Sequence, residues 1–497
     1  MTEIDIFVPK QCRRWQLVLA GRLSAAGHDV RLVRSQEPDA WPALLDSVLG
    51  LERRLSHGGE RLSARVEFPA GEAQAARPGS TVIDLAGSVS ALVSDKALTV
   101  TFDGSRSAAA AAIAIAANRL PAVRIMRGGR TVAEARPMVD SRLVVGRGLE
   151  DVLARAISLV VSTVDRIGAG AGDPPAAPEA ISEPPSSAVL AGSLAFRTAP
   201  RLARETLRRL RHWPSHWRVG YRFHDGKGVA ETGSLAGPAW SILPDDGRRY
   251  YADPFPFEHD GRHFIFVEEY PHETGKGLIS VAEFDRQRRP AAPRVVLEEP
   301  FHLSYPQVFS LDGQVWMLPE GGAGRQLVLY RAEAFPDRWV RHAVLVEGRE
   351  LFDATLLDHG GRYWLLAAER DGAGSTSDML VAFHAERLEG PWTPHKANPI
   401  LIDRAAARPG GAFVRVGRRI VHPVQDGTLG YGGGLGLSDV IRLDEEKVEL
   451  SQPVPVLGAR NWPYPKIHTL NRAGHLEVID GLAEVRRGAA MGETEAA

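Results

Sequence analysis

His259-Asp260-Gly261-Arg262-His263-Phe264-Ile265-Phe266 decides the fold: an apolar approach, a Gly-centred turn, then alternating aromatic and aliphatic residues. The phrase returns at intervals of roughly fifty residues, as Leu311-Asp312-Gly313-Gln314-Val315-Trp316, His359-Gly360-Gly361-Arg362-Tyr363-Trp364, Val416-Gly417-Arg418-Arg419-Ile420-Val421 and Ala473-Gly474-His475-Leu476-Glu477-Val478. Asp-Gly and Gly-Gly between apolar runs mark tight hairpins, because the turn residues must reach positive φ. A repeat of this length cannot bury its own apolar face. Five in succession therefore predict blades packed around an axis, an all-β five-bladed propeller over residues 215–485. Function is expected in the funnel at that axis.

Eight residues before each turn glycine, where the innermost strand of a blade passes the axis, stand Asp253, Tyr305, Asp353, Pro409 and Lys466. Seven residues after it stand Glu268 and Glu320 in the first two blades, and Ala368, Val424 and Gly481 in the others. Carboxylates are thus concentrated on one side of the expected funnel, Asp253 and Asp353 within strongly apolar phrases. Paired carboxylates facing one cleft are what glycosyl chemistry needs: one, kept protonated by burial or a like charge, protonates the leaving oxygen while an ionised partner activates the acceptor or attacks. Asp253 is the base candidate, Glu320 the acid, and Asp353 the group that orients the sugar or tunes the acid. The competing possibility is that strand-end aspartates bond backbone amides of the next blade and only tie the ring together.

Further ligand-binding candidates lie in the same register or beside it: Tyr305, Arg408, His422, Gln425, Asp426, Lys466 and His468. Such groups hydrogen-bond hydroxyls or clamp a carboxylate or phosphate, and Gly410 and Gly411 let a ligand approach the backbone. No spacing demands a metal at His422 and His468, and neither a metal nor another cofactor is expected.

The phrases Tyr251-Ala252-Asp253-Pro254-Phe255, Leu318-Pro319-Glu320, Phe352-Asp353-Ala354-Thr355, Arg408-Pro409-Gly410-Gly411, His422-Pro423-Val424-Gln425-Asp426 and Ile467-His468-Thr469-Leu470-Asn471 resemble the N-terminal domain of the glucosamine inositolphosphorylceramide transferase family. That domain is itself similar to the five-bladed propellers of family 43 glycoside hydrolases. The resemblance covers roughly residues 215–485. It implies that Asp253 matches the hydrolase base and Asp353 the aspartate that orients substrate and modulates the acid. The hydrolase acid is expected after blade three, whereas Glu320 stands in blade two, a departure from the hydrolase pattern. In the plant proteins a glycosyltransferase domain follows the propeller, and these 497 residues are not expected to contain one.

Residues 1–167 read differently. A strand at Ile4 to Pro9, a helix around Trp15 to Ala26, a strand at Asp29 to Val33 and another at Val82 to Gly87 predict a parallel α/β sheet of Rossmann type, with a ligand rim at Pro9 to Arg13 and Asp84 to Ser88. Ala108 to Ala117 reads as a buried helix, Gly128-Gly129 as a hairpin-like turn, and Leu149 to Ile167 as a helix. No Gly-x-Gly-x-x-Gly follows the first strand, which argues against a dinucleotide site. The strand-helix opening and Asp84-Leu85-Ala86-Gly87 resemble the formyltransferase fold. The Asn, His and Asp set of that family is missing: His28, His57 and Asn118 form no Asn-x-His arrangement. A binding or scaffolding domain is expected.

A Pro/Ala/Gly-rich linker is expected at 168–192, a basic connecting helix at 193–214 and a disordered tail at 486–497. Arg201 to His212 sets Arg201, Arg204, Arg208, Arg209 and Arg211 beside Leu202, Leu207 and Leu210. Such a helix reads either as a peripheral membrane contact or as a charged connector. With 60 Lys and Arg against 61 Asp and Glu, no global charge recruits nucleic acid. Single Cys12 precludes an internal disulfide, no secretory signal is read at the N-terminus, and a cytoplasmic address is expected. Two functions remain open. One is a carbohydrate-active enzyme of glycan assembly; the other is a non-catalytic module that binds a sugar, glycan or sugar nucleotide for a partner glycosyltransferase.

Overall fold

The computed structural model describes residues 2–35, 41–55, 61–68, 76–87, 97–170, 180–182 and 186–487. His57, Ser88, much of the expected linker and residues 488–497 of the expected tail lie outside them. The chain divides into two compact units, Met1–Thr206 with Asp371–Ser375, and Leu207–Arg370 with Thr376–Ala497.

The N-terminal unit is built on one sheet of six strands, in spatial order Asp29–Arg34, Glu3–Val8, Thr81–Asp84, Leu98–Phe102, Val123–Arg127 and Arg130–Ala135. The first four pair in parallel and the last two antiparallel, so the sheet is mixed where the sequence predicts a parallel one. The cause is local. Gly128 and Gly129, at φ 55° and 73°, make a two-residue turn that folds the edge back on itself. Ala109–Ala116 is buried at every position. The long helix Val145–Gly168 starts four residues before the expected Leu149.

The second unit has five sheets of four to six strands, one per repeat, and each predicted glycine turn joins the two inner strands of its blade. The five-bladed propeller is therefore present. Blade one runs from Arg249–His259 outward, blade two from Ser304–Leu311 and blade three from Leu351–His359. Blade four has its inner strand broken into Arg408–Pro409 and Val414–Val416, because Pro409 has no N–H to give a ladder. Blade five is a composite: Leu470–Ala473 and Leu476–Leu482 are completed by Trp217–Phe223 and Ser241–Ile242 from the other end of the unit. The two ends of the propeller sequence are thus zipped together by seven residue pairs, Leu476–Phe223 to Leu482–Trp217. The cores sit between blades. Phe264, Phe266 and Val281 of blade one meet Met317, Val328 and Trp339 of blade two, and Val219 and Val478 of blade five meet Ile265 and Val267 of blade one.

Two boundaries differ from the sequence expectation. Ser187–Ser193 is helix rather than linker, and the basic helix is Ala199–Arg211. Lys466 precedes the inner strand of blade five instead of lying on it.

Blades four and five touch through backbone, with Leu470 N donating to Gly410 O at 2.8 Å. Gly411, at φ 146°, leaves no room there: a Cβ would stand 2.0 Å from the carbonyl oxygen of Leu470. Gly411→Ala combines a forbidden backbone angle with a backbone clash, and is expected to lower stability by about 3 kcal/mol. A melting temperature equal to that of the parent would show that this contact does not constrain the ring.

Candidate functional site in the propeller funnel

Asp253, Tyr305 and Asp353 share more than a register. All three are in the left-handed region, at φ 48°, 46° and 50°. Each lies where the pairing of the two inner strands slips, between partners of Phe266 and Glu268, Ser304 and Gln307, and Phe352 and Thr355. A bulge of this kind re-aims a side chain that the strict alternation of a strand would otherwise direct. The conformation costs on the order of 1 kcal/mol for a residue with a Cβ, least for Asp and more for Tyr. Pro409 cannot adopt it, and Lys466 is outside the strand, so only three blades deliver this position to the axis.

Two clusters result. In the first, Arg408 Nε donates to Asp353 Oδ2 at 2.5 Å and Nη2 to Oδ1 at 3.2 Å, a bidentate pair between blades three and four. Gln425 Nε2 donates to the same Oδ2 at 2.6 Å. Glu320, hydrogen-bonded by Ser304 Oγ at 3.1 Å, has an oxygen 3.6 Å from Arg408 Nη2. Tyr305 OH accepts from Gly411 N at 2.7 Å and shares a proton with Thr355 Oγ1 at 2.9 Å. Burial, then the neighbouring Asp353 charge, pushes the Glu320 carboxyl up to about 8, against the pull of Arg408. Glu320 is therefore protonated at neutral pH. Burial would strip the Arg408 proton, but Asp353, Tyr431 and Glu320 hold it charged.

In the second cluster, between blades one and five, Thr469 Oγ1 donates to Asp253 Oδ1 at 2.7 Å and His468 Nε2 lies 3.3 Å from the same oxygen. His468 Nδ1 is 2.7 Å from Asp480 Oδ2, an ion-pair contact too oblique for a directed hydrogen bond. Asp480 also accepts from the backbone N–H groups of Asp253, His468 and Thr469. The amide-bonding tie that the sequence offered for Asp253 and Asp353 is thus made by Asp480. Burial raises the Asp253 carboxyl to about 7; His468 opposes this, and Asp353 and Glu268 add to it. Burial lowers His468, but Asp480 and Asp253 outweigh it and lift the imidazole to about 9. Asp253, His468 and Asp480 each bring a ligand atom within 4.8 Å of the others, the metal-capable group among the described residues.

The acids themselves are sealed, with Asp253, Glu320 and Asp353 only 3%, 5% and 0% exposed. What reaches solvent beside them is Tyr431, 47% exposed, with Arg408 5.2 Å from its ring centroid and His468 at 5.8 Å. It stands in the glycine run Leu429-Gly430-Tyr431-Gly432-Gly433-Gly434. Gly432, at φ 62°, lies so close to Trp217 that a Cβ would be 2.2 Å from the indole. His302, paired with Glu268 at 3.3 Å, is the second accessible group. Burial lowers its proton affinity, yet the bond and charge of Glu268 raise it to about 9.

Several candidates stand apart. His422 is fully buried and stacked on Phe413 at 4.4 Å, with neither ring nitrogen hydrogen-bonded among the described residues, and burial drops it to about 3. Asp426 caps a short helical turn by accepting from Thr428 N. Lys466 is tied through its carbonyl, which accepts from Leu482 N. Sequence reading missed His302, Tyr431 and Asp480. Only the lone aromatic in a glycine run and the acid one place before Gly481 gave any signal. A cavity of about 650 Å³ lies elsewhere, beside the Gly474 turn, walled by Lys227, Glu231, Arg415, Arg472 and Glu477. In the N-terminal unit, Pro9, Arg13, Leu85 and Ala86 from the two expected rim loops line a small hollow of about 60 Å³.

Residues 245–475 match the family model described as glucosamine inositolphosphorylceramide transferase 1, N-terminal. The glucosamine inositolphosphorylceramide transferases 1 of Oryza sativa subsp. indica and Arabidopsis thaliana are each 31% identical over 247 and 246 residues, which is 47% of this chain and 33% and 32% of theirs. The chain thus spans about a third of the length of these relatives. Among solved structures, a thermostable family-43 glycoside hydrolase covers 46% of this chain and 86% of its own at 12% identity and a TM-score of 0.35. A family 117 glycoside hydrolase of Zobellia galactanivorans covers 51% and 78% at 12% identity and a TM-score of 0.34.

Replacing Arg408 by Met leaves Asp353 buried without its cation, and should cost about 3 kcal/mol of stability. Unchanged unfolding midpoints would contradict the role given to the pair. The shifted groups also fix a pH dependence. Glu320 at about 8 and Asp253 at about 7 sit above their ordinary 4.5 and 3.8, and His302 and His468 at about 9 sit above 6.5. The folded state therefore binds more protons than the unfolded one, so stability falls as pH rises. The imidazolium contributions are complete below 6.5 and gone once pH passes about 9; the carboxyl contributions are already eroding and end near 8 and 7. His272 and His422, lowered to about 4 and about 3, act in the opposite sense only below 6.5. Melting temperature should fall between pH 6.5 and 9, and Glu320→Gln should flatten its lower half; a rising profile would refute the assignment.

Proposed function

We propose that the propeller is a carbohydrate-active module of glycan or polysaccharide assembly that transfers or cleaves a glycosyl group in its funnel. The observation that carries this is the burial of Glu320 beside Arg408 and Ser304, and of Asp253 beside Thr469 and His468, in two clusters around one axis, beneath an exposed tyrosine. Glu320 donates its proton to the leaving oxygen, Asp253 takes the proton of the incoming hydroxyl, and the charge of Asp353 raises the proton affinity of Glu320 against the pull of Arg408. Tyr431 offers the flat apolar face on which a sugar ring packs. The match of residues 245–475 to a family named for glucosamine transfer supports an amino sugar, free or nucleotide-linked, as the ligand class.

A second reading has its own support. Both oxygens of Asp353 are consumed by Arg408 and Gln425, and Asp253 is bonded to Thr469, which suits a rigid module that binds a glycan for a partner glycosyltransferase. For the N-terminal unit we keep the formyltransferase-like resemblance as a proposal, in a binding or scaffolding role. Its sheet order and rim hollow support this, and His28 is engaged with Asp165 at 3.0 Å rather than facing that hollow. A cytoplasmic address belongs to the same proposal.

Titration calorimetry with glucosamine and a nucleotide-linked amino sugar, together with turnover of the latter, separates the readings. On the enzyme reading, Asp253→Asn lowers turnover by about 10²- to 10⁴-fold with the dissociation constant nearly unchanged. Tyr431→Ala weakens binding by about 1 kcal/mol on either reading. Turnover that survives Asp253→Asn would eliminate the catalytic role, and binding of neither sugar would eliminate both.

A further inference from the structure

The helix Ala199–Arg211 has no buried residue. Its apolar side chains are nevertheless ordered: Ala199, Ala203, Leu207 and Leu210 recur at spacings of four, four and three, with Leu202 beside them, and Phe196 continues the line one turn earlier. Arg201, Arg204, Arg208 and Arg211 form a second line at spacings of three, four and three. At 100° per residue the two lines are about 120° apart around the helix. An amphipathic helix in a water-soluble protein turns its apolar line to the core. Here that line is in water, with Phe196 83%, Leu202 46%, Leu207 49% and Leu210 72% exposed.

Three occupants have surfaces suited to such a helix, and charge selects among them. The helix carries five arginines, the fifth being Arg209, and one acid, Glu205. A second copy placed against the apolar line would bring two arginine-rich flanks together. A soluble polyanion would satisfy the arginines and leave the leucines wet. A lipid surface with anionic headgroups takes both: acyl chains accept the leucines and Phe196 while the flanking guanidinium groups lie among phosphates. We propose that this helix docks the protein in the plane of an anionic membrane surface. None of the helices described is long and apolar enough to cross a bilayer.

Co-sedimentation of the full chain with vesicles of phosphatidylcholine, and of phosphatidylcholine with phosphatidylserine, tests this. Binding to the anionic vesicles should exceed that to the neutral ones by about tenfold or more and weaken with salt. The double variant Leu207→Glu, Leu210→Glu should lose at least about tenfold in affinity, and Arg204→Gln with Arg211→Gln should lose the preference for anionic lipid. Because no side chain of the helix is buried, both variants should keep the parent's melting temperature. Absence of binding to either vesicle overturns the proposal. So does binding that survives the leucine substitutions, which marks a polyanion contact, or a concentration-dependent dimer that those substitutions dissolve without vesicle binding.

Discussion

Arg408 is the group on which the funnel depends. Five carboxylates, Asp253, Glu268, Glu320, Asp353 and Asp480, are buried near the axis, where each ionised acid loses its hydration. One guanidinium and two imidazoles, His302 and His468, meet that charge. Among the described residues, Arg408 alone touches both Asp353 and Glu320, and it does so at 5% exposure, where its charge is least screened by water. With the arginine engaged by Asp353, Glu320 is left to neutralise itself by holding a proton. In the proposed reaction the acid thus arises from which carboxylate the cation engages.

The same contacts serve the ring. Asp353 with Arg408 and Gln425 joins blade three to blade four, Tyr305 with Gly411 joins two to four, and Asp253 with Thr469 and Asp480 joins one to five. Blades pack on one another through apolar clusters, which are indifferent to small rotations. Directional bonds at the axis remove that freedom. Structure and candidate chemistry therefore share residues, so a change at this site is expected to register in stability as well as in activity.

Much of the fold was legible because a hairpin is local. Five glycine turns, each bounded by residues that prefer strands, are statements about neighbours in sequence, and their recurrence states the blade number. Asp253, Asp353 and Glu320 were legible for a related reason: equal offsets from equal turns give equal places in equal blades. The offset failed at Lys466, where blade five starts its inner strand later; His422, a candidate beside the register, is stacked on Phe413 instead. Asp480, His302 and Tyr431 escaped because their place in the site is set by partners remote in sequence: Asp253, 227 residues from Asp480, Glu268, 34 from His302, and Arg408, 23 from Tyr431.

By itself the sequence determined the repeat, the propeller class of the second half, and the presence of acids at one level of the blades, since all of these follow from short-range preference and period. Tertiary structure decided the rest. It chose which strand closes the last blade, put Asp253, Tyr305 and Asp353 into a left-handed bend, distributed one arginine among several acids, and left the leucines of the basic helix in water. Those outcomes depend on which distant groups share a low-dielectric space, and no local preference encodes that.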